Sequence, residues 1–348
     1  MSGYNLETNT PPSVVIHLDS RFASSYLQKV TDSSGDSRDL TTNYIYNLRE
    51  ALEINDTMVC LISLHSATIP YSFYNLRTDI NDTLTIRVVY NGVTYNNDIQ
   101  LDQGNYNVSN LLTELVNKVN TLEYDGSHTI SNRATITKGT QFDYDRKLMK
   151  FAFYYTTTDD LLTEISFLFT SAQNNAGNIM GFYDDGTLYT LTRNGGSTNN
   201  LKSAKVVDLN DQIHGLYVRQ NLVSKGTLDN ATGIFSNILS RIPITTNAGG
   251  VIFFSPNDGT HKSMVDLKSI QSIGIKLTDD TNRPLDLNGG HWQVSLQIDY
   301  VFRKEPILEL TKVSRRIMEL SQQKLIEEQQ TKEVVEPVKE EPLKTKKK

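Results

Sequence analysis

Histidines, one cysteine and pairs of adjacent carboxylates are the side chains here that could carry chemistry, and their spacing limits what that chemistry can be. His17, His65, His128, His214, His261 and His291 are scattered, and no two stand at the separation that places two imidazoles on one helix face or on one metal. Cys60 is the sole cysteine, which excludes an intrachain disulfide and any cysteine-based zinc cluster. Within the apolar run from Met58 to Ile62 it reads as a buried, inert thiol. Asp159 with Asp160, Asp184 with Asp185, and Asp279 with Asp280 offer the oxygen ligands that calcium takes. No D-x-[DN]-x-[DN]-G loop with a closing Glu surrounds them, and neighbouring Asp residues in turns commonly bond the backbone instead. A G-x-S-x-G elbow, a Walker A loop and a G-x-G-x-x-G loop are all missing from the sequence. The expectation is therefore a protein with no catalytic residues, no cofactor site and no metal site: not an enzyme.

Other residues are better suited to contact than to reaction. Ile69-Pro70 ends a strand abruptly, since proline brings no N–H to the ladder and restricts its predecessor. Tyr71, Phe73 and Tyr74 then put three aromatic rings into one turn, where they can anchor a neighbouring chain or cap the chain's own core. Further on, Leu310, Val313, Ile317 and Leu320 fall on one stripe of a helix expected from Glu309 to Gln329, too narrow for a core and suited to docking. These seven residues are the candidate interaction sites.

The elements that must position them are mostly strands. Runs rich in Val, Ile, Thr, Tyr and Phe alternate with Asn, Asp and Gly turns, and Asn91-Gly92 between two alternating runs predicts a type I′ hairpin. Strands are expected near Ser13–Leu18, Tyr44–Leu48, Thr57–Ile69, Thr83–Tyr90, Thr129–Ile136, Leu148–Tyr155, Glu164–Phe169, Lys205–Asp208, Leu216–Val218, Val251–Ser255, Ile270–Leu277 and Trp292–Phe302. Leu111, Leu112, Leu115, Val116 and Val119 predict a helix with Ser109 as N-cap and Glu114 in its first turn, and a shorter helical turn is expected around Ala172 to Met180. The fold class is thus all-β with one or two short helices.

Charge is uneven along the 348 residues. From Lys304 onward there are 11 basic and 9 acidic residues, which leaves 23 basic and 31 acidic for the rest and an acidic body. Such a body argues against coating nucleic acid, which needs a basic face. The stretch 331–348 is too poor in apolar residues to fold and reads as a disordered tail ending in Lys344, Lys346, Lys347 and Lys348. No run approaches the ~18 apolar residues of a membrane-spanning helix. The opening from Met1 to Pro12 is polar and carries no secretory signal, so cytosolic synthesis is expected.

Four stretches carry a resemblance to a known family. They are Val15-Ile16-His17-Leu18-Asp19-Ser20-Arg21; Val59 to Leu76, leading through Ile-Pro-Tyr-Ser-Phe-Tyr-Asn to Asn81-Asp82-Thr83-Leu84; Gly104-Asn105-Tyr106-Asn107-Val108 before a helix; and Leu277 to Asp280, continuing through Pro284-Leu285-Asp286-Leu287-Asn288-Gly289 to His291-Trp292. In this order they resemble the minor capsid and penton proteins of large icosahedral double-stranded DNA viruses and of their virophage and polinton-like relatives. The resemblance ends at Phe302.

It implies a viral jelly-roll β-sandwich, a jelly-roll capsid domain over 43–303 with an insertion around 100–250, while the residues themselves set an extended arm and loop over 1–42, a docking helix over 304–330 and a disordered charged tail over 331–348. It implies a structural virion protein that self-assembles into a pentamer at the vertices and joins the major and other minor capsid proteins. Assembly in the host cytoplasm or a viral factory follows from that, and the final lysines add a weak contact to packaged DNA. A double jelly roll forming trimers is the nearest alternative, and a carbohydrate-binding or host-attachment β-sandwich is a third reading.

Overall fold

The computed structural model describes residues 13–302, apart from 32–34, 56–57, 171–173, 212, 224–226, 230–233, 257–260 and 266, together with 315–327. The chain divides into two compact units, one up to Tyr300 and one from Val301. The first unit contains two separate hydrophobic cores.

Eight strands enclose the first core, numbered in chain order: β1 (Ser13–Asp19), β2 (Asn43–Glu53), β3 (Met58–Pro70), β4 (Leu216–Gln220), β5 (Ile238–Ile242), β6 (Val251–Phe254), β7 (Ser269–Thr278) and β8 (Gln293–Phe302). One sheet has the order β1-β8-β3-β6 and the other β2-β7-β4-β5, with Ser263–Val265 added beside β3 and Ser25–Tyr26 beside β2. Apart from the β4–β5 pair, successive strands pass back and forth between the two sheets, and the first and last strands pair antiparallel from Ser13↔Asp299 to Asp19↔Gln293. That strand order is the jelly roll, two Greek keys wound into a sandwich. The fold is therefore all-β and of the expected kind.

Period-two patterning explains why each sheet forms. Along β8, Val294, Leu296, Ile298 and Tyr300 are buried. Gln293, Ser295, Gln297 and Asp299 alternate with them on the opposite face. In β7 the same alternation buries Ile273, Ile275 and Leu277. Trp292, fully buried, meets Tyr44 edge to face with ring centroids 6.1 Å apart, and its indole N–H donates to the Thr41 carbonyl at 3.1 Å.

The second core is nested between β3 and β4. Its residues run from Leu76 to Leu209, rather than over the insertion expected at about 100–250. One sheet has the order Asp185–Thr190, Leu162–Thr170, Thr83–Tyr90, Val93–Gln100. Against it lie a second sheet centred on Lys150–Tyr155 and the helix α1 (Val108–Thr121), which buries Leu111, Leu112, Leu115, Val116 and Val119. Nested in a connection and different in strand order, this unit does not repeat the jelly roll, so the tandem arrangement is not the one found.

Several expectations shift locally. The α1 N-cap is Asn107, not Ser109: its side chain accepts from the Asn110 N–H at 2.9 Å, and Glu114 lies beyond the first turn, 3.6 Å from Lys118. Thr129–Ile136 is not a strand. Ile130 points into the core, and its carbonyl accepts from the Arg133 and Ala134 N–H groups, closing a 3-10 turn. Lys205–Asp208 also forms no strand, although its backbone is bonded to Gly181 and Met149. The short turn within Ala172 to Met180 is a helix at Gly177–Met180, and the hairpin turn has the left-handed geometry of type I′, with φ of 50° at Asn91 and 74° at Gly92. In the second unit the chain is helical over 315–327.

Candidate functional site

After Pro70 the chain turns sharply, and its aromatic rings take different places. Phe73 is 1% exposed and belongs to the jelly-roll core, with the Tyr71 ring stacked on it at 4.3 Å and 18°. The backbone of Tyr71 exchanges hydrogen bonds with the β5–β6 connection, its N–H donating to Gly250 and its carbonyl accepting from Gly249. Tyr74 is half-buried and lines a groove of about 470 Å³ with Lys29, Arg38, Arg77 and Asp286. Of the two roles open to these rings, Phe73 takes that of a core ring, its surface consumed inside the chain, while Tyr71 and Tyr74 keep exposed area.

The four stretches that carry the family resemblance meet in space. Ser72 donates to the Leu287 carbonyl at 2.7 Å, and the Asn288 side-chain amide donates to the Ser72 carbonyl. Asn75 accepts from the Tyr106 N–H at 2.9 Å and donates to the Tyr106 carbonyl at 2.8 Å, while Leu76 and Gly104 form an antiparallel bridge. At the end of β1, the Ser20 N–H donates to the Trp292 carbonyl and the Ser20 hydroxyl accepts from the Trp292 N–H. Each motif therefore locks a turn against another motif far away in the chain. This chemistry fixes shape.

The chain crosses between the two cores twice, and both crossings are held by ion pairs. Inbound, Phe73 belongs to the first core and Leu76 to the second; outbound, Leu209 packs on the second core and Ile213 is buried in the first. Adjacent carboxylates in the β7–β8 connection hold both crossings. Asp279 is fully buried, accepts from Arg77 at 2.9 Å, and takes the backbone N–H groups of Thr281 and Arg283 on its other oxygen. Asp280 accepts from His214, whose ring nitrogens lie 2.9 Å from Asp280 and 2.9 Å from Asp208. Hydrogen bonds to Asp208 and then Asp280 hold the His214 pKa above its ordinary value. Burial, followed by the nearby Asp208 charge, raises that of Asp211. This double staple escapes sequence reading, because Asp279 pairs across 202 residues and Asp280 across 66.

Several of the remaining candidates are also bonded within the fold. Asp159 accepts from the Leu161 N–H and from Arg133, and Asp185 accepts from the Thr187 N–H. The ring Nδ1 lies 2.7 Å from the Ser295 hydroxyl in His17, 2.7 Å from Asp125 in His128 and 3.0 Å from the Ser20 hydroxyl in His291. Cys60 is buried, and burial pushes its thiol up to about 11. Among the described residues no group of three His, Cys, Asp or Glu side chains is placed to hold a metal, and no helix is long and apolar enough to cross a membrane. Ile317 and Leu320 are exposed on the helix at 315–327; Leu310 and Val313 lie outside the described residues.

No family model matches the chain, and no curated protein matches it. Among solved structures it is similar to the mavirus penton protein, with 11% sequence identity and a TM-score of 0.44 over 83% of this chain and 100% of that one.

Proposed function

We propose that this chain is a structural virion protein, a minor capsid or penton subunit of an icosahedral double-stranded DNA virus. The observation that carries this reading is the convergence of the four resembling stretches onto the turns of a jelly roll, where Ser72, Asn75, Leu287 and Asn288 bond one another. A jelly roll also serves lectins and cupins; the sequence resemblance at these locks favours the capsid. Its mechanism is association. Tyr71 and Tyr74 at the surface, the open edges of the sandwich and the helix at 315–327 with its exposed Ile317 and Leu320 supply contact area. Repeated use of one heterologous contact of ~1,200 Å² or more closes a ring.

A single jelly roll with a nested unit supports five-fold rings at the vertices over the trimers of a double jelly roll. The terminal helix and tail tie the subunit to major and other minor capsid proteins, and Lys344, Lys346, Lys347 and Lys348 touch packaged DNA weakly. Residence is in the virion, with assembly in the host cytoplasm or a viral factory. Native mass spectrometry and negative-stain imaging of the purified full chain test the reading. Five-fold rings support it. Trimers would transfer the chain to another capsid position, and a strict monomer at all concentrations that binds specific glycans would replace it with the attachment reading.

A further inference from the structure

We infer that His214, gripped between Asp208 and Asp280, is a pH-operated clasp: it fixes the inserted unit on the jelly roll while both ring nitrogens donate, and frees the outbound crossing once the ring gives up a proton. The geometry demands the charged ring. Ionised carboxylates only accept hydrogen bonds, and a neutral imidazole has one donor and one acceptor nitrogen. With Nδ1 2.9 Å from Asp280 and Nε2 2.9 Å from Asp208, only an imidazolium satisfies both contacts. Loss of the proton sets a lone pair against a carboxylate at one of them.

The surroundings make this contact a hinge. The outbound crossing passes from Leu209 on the second core to Ile213 in the first. Facing the ring are Asp208 and Asp211 from the outbound segment and Asp280 from the β7–β8 connection. Arg241 of β5 donates to the His214 carbonyl at 3.2 Å. The inbound crossing is held instead by the guanidinium of Arg77 on the buried Asp279 carboxylate, a pair with no imidazole in it. The two crossings therefore answer pH differently, and the inserted unit pivots about the inbound one.

The sign follows from the upward displacement of the His214 pKa. A folded-state value above the unfolded one contributes stabilisation that is complete below the unfolded value and is lost as pH rises through the folded value. The clasp is closed on the acid side and opens toward alkaline pH. Asp211 is displaced upward as well, by burial and then by the Asp208 charge.

The experiment uses the full chain with spin labels at Thr187→Cys in the inserted unit and Gln271→Cys in β7; both positions are exposed, and native Cys60 is buried. Pulsed electron–electron distances are recorded at about pH 6 and about pH 9, either side of the imidazole range. A narrow distribution at the lower pH and a distribution at least about twofold wider at the higher supports the clasp. His214→Gln, which presents one donor group to two carboxylates, should be wide at both. Asp280→Asn should widen the distribution at the lower pH and lower the midpoint of the His214 imidazole NMR titration relative to the unsubstituted chain. Equal widths at both pH values in the unsubstituted chain would overturn the inference, and so would a pH response that survives in His214→Gln.

Discussion

Replacing Phe73 by alanine separates a core ring from an interface ring. Phe73 is 1% exposed within the jelly-roll core and carries the stacked Tyr71 ring at 4.3 Å. Removing a buried phenylalanine costs about 3–5 kcal/mol from lost transfer free energy and the residual cavity, and the lost ring pair is itself worth about 0.5–1.5 kcal/mol. With a loss of about 4 kcal/mol and a urea slope of about 2 kcal/mol per molar, the unfolding midpoint should fall by about 2 M. Fluorescence of Trp292, the only tryptophan, reads this transition from inside the same core. Tyr74→Ala is the control: half-buried at the groove, it should change stability by less than about 1 kcal/mol. An unchanged midpoint for Phe73→Ala, together with a failure to assemble, would refute the assignment of this ring to the core and return it to an interface.

Three further outcomes are expected. Asp279→Ala leaves the Arg77 guanidinium without its buried partner and should cost about 3–5 kcal/mol, visible as a melting temperature lower by several degrees; a value within about 2 °C of the parent would contradict the role given to the staple. Cys60, with its thiol pushed up to about 11, should resist a maleimide at neutral pH in the folded chain and react fully once unfolded, whereas rapid labelling of the native protein would show the site to be open. Removing residues 309 to 348 should leave the jelly-roll transition intact but reduce incorporation into particles, and normal incorporation would dispose of the docking role for Leu310, Val313, Ile317 and Leu320.

What could be read in advance follows the range of the interactions. Thr83–Tyr90 and the Asn91-Gly92 turn were legible because alternation and positive φ are local properties. The α1 helix was legible from the spacing of Leu111, Leu112, Leu115, Val116 and Val119, but its start was not, since Asn107 and Ser109 are both good caps and packing chose the earlier one. Thr129–Ile136 has the β-branched composition of a strand, yet Ile130 found the second core by turning, a tertiary demand that propensity does not encode. Likewise Phe73 was visible as an aromatic in a turn, while its burial depends on strands far away in the chain. The staple of Asp279 and Asp280 stayed hidden because an acidic pair in a turn looks alike whether it faces solvent or an arginine.

Nesting has a consequence for how the molecule is made. The second core draws all its residues from Leu76 to Leu209, so it can condense as soon as that stretch has emerged from the ribosome. The first strand must wait: Ser13–Asp19 finds its partner only when Gln293–Asp299 has been translated, after the whole of the nested unit. During synthesis β1 to β3 are therefore held with an unpaired sheet, dependent on chaperones or on the nascent chain's own solubility, and premature termination between Leu209 and β8 yields a molecule with a finished middle and an unclosed shell around it.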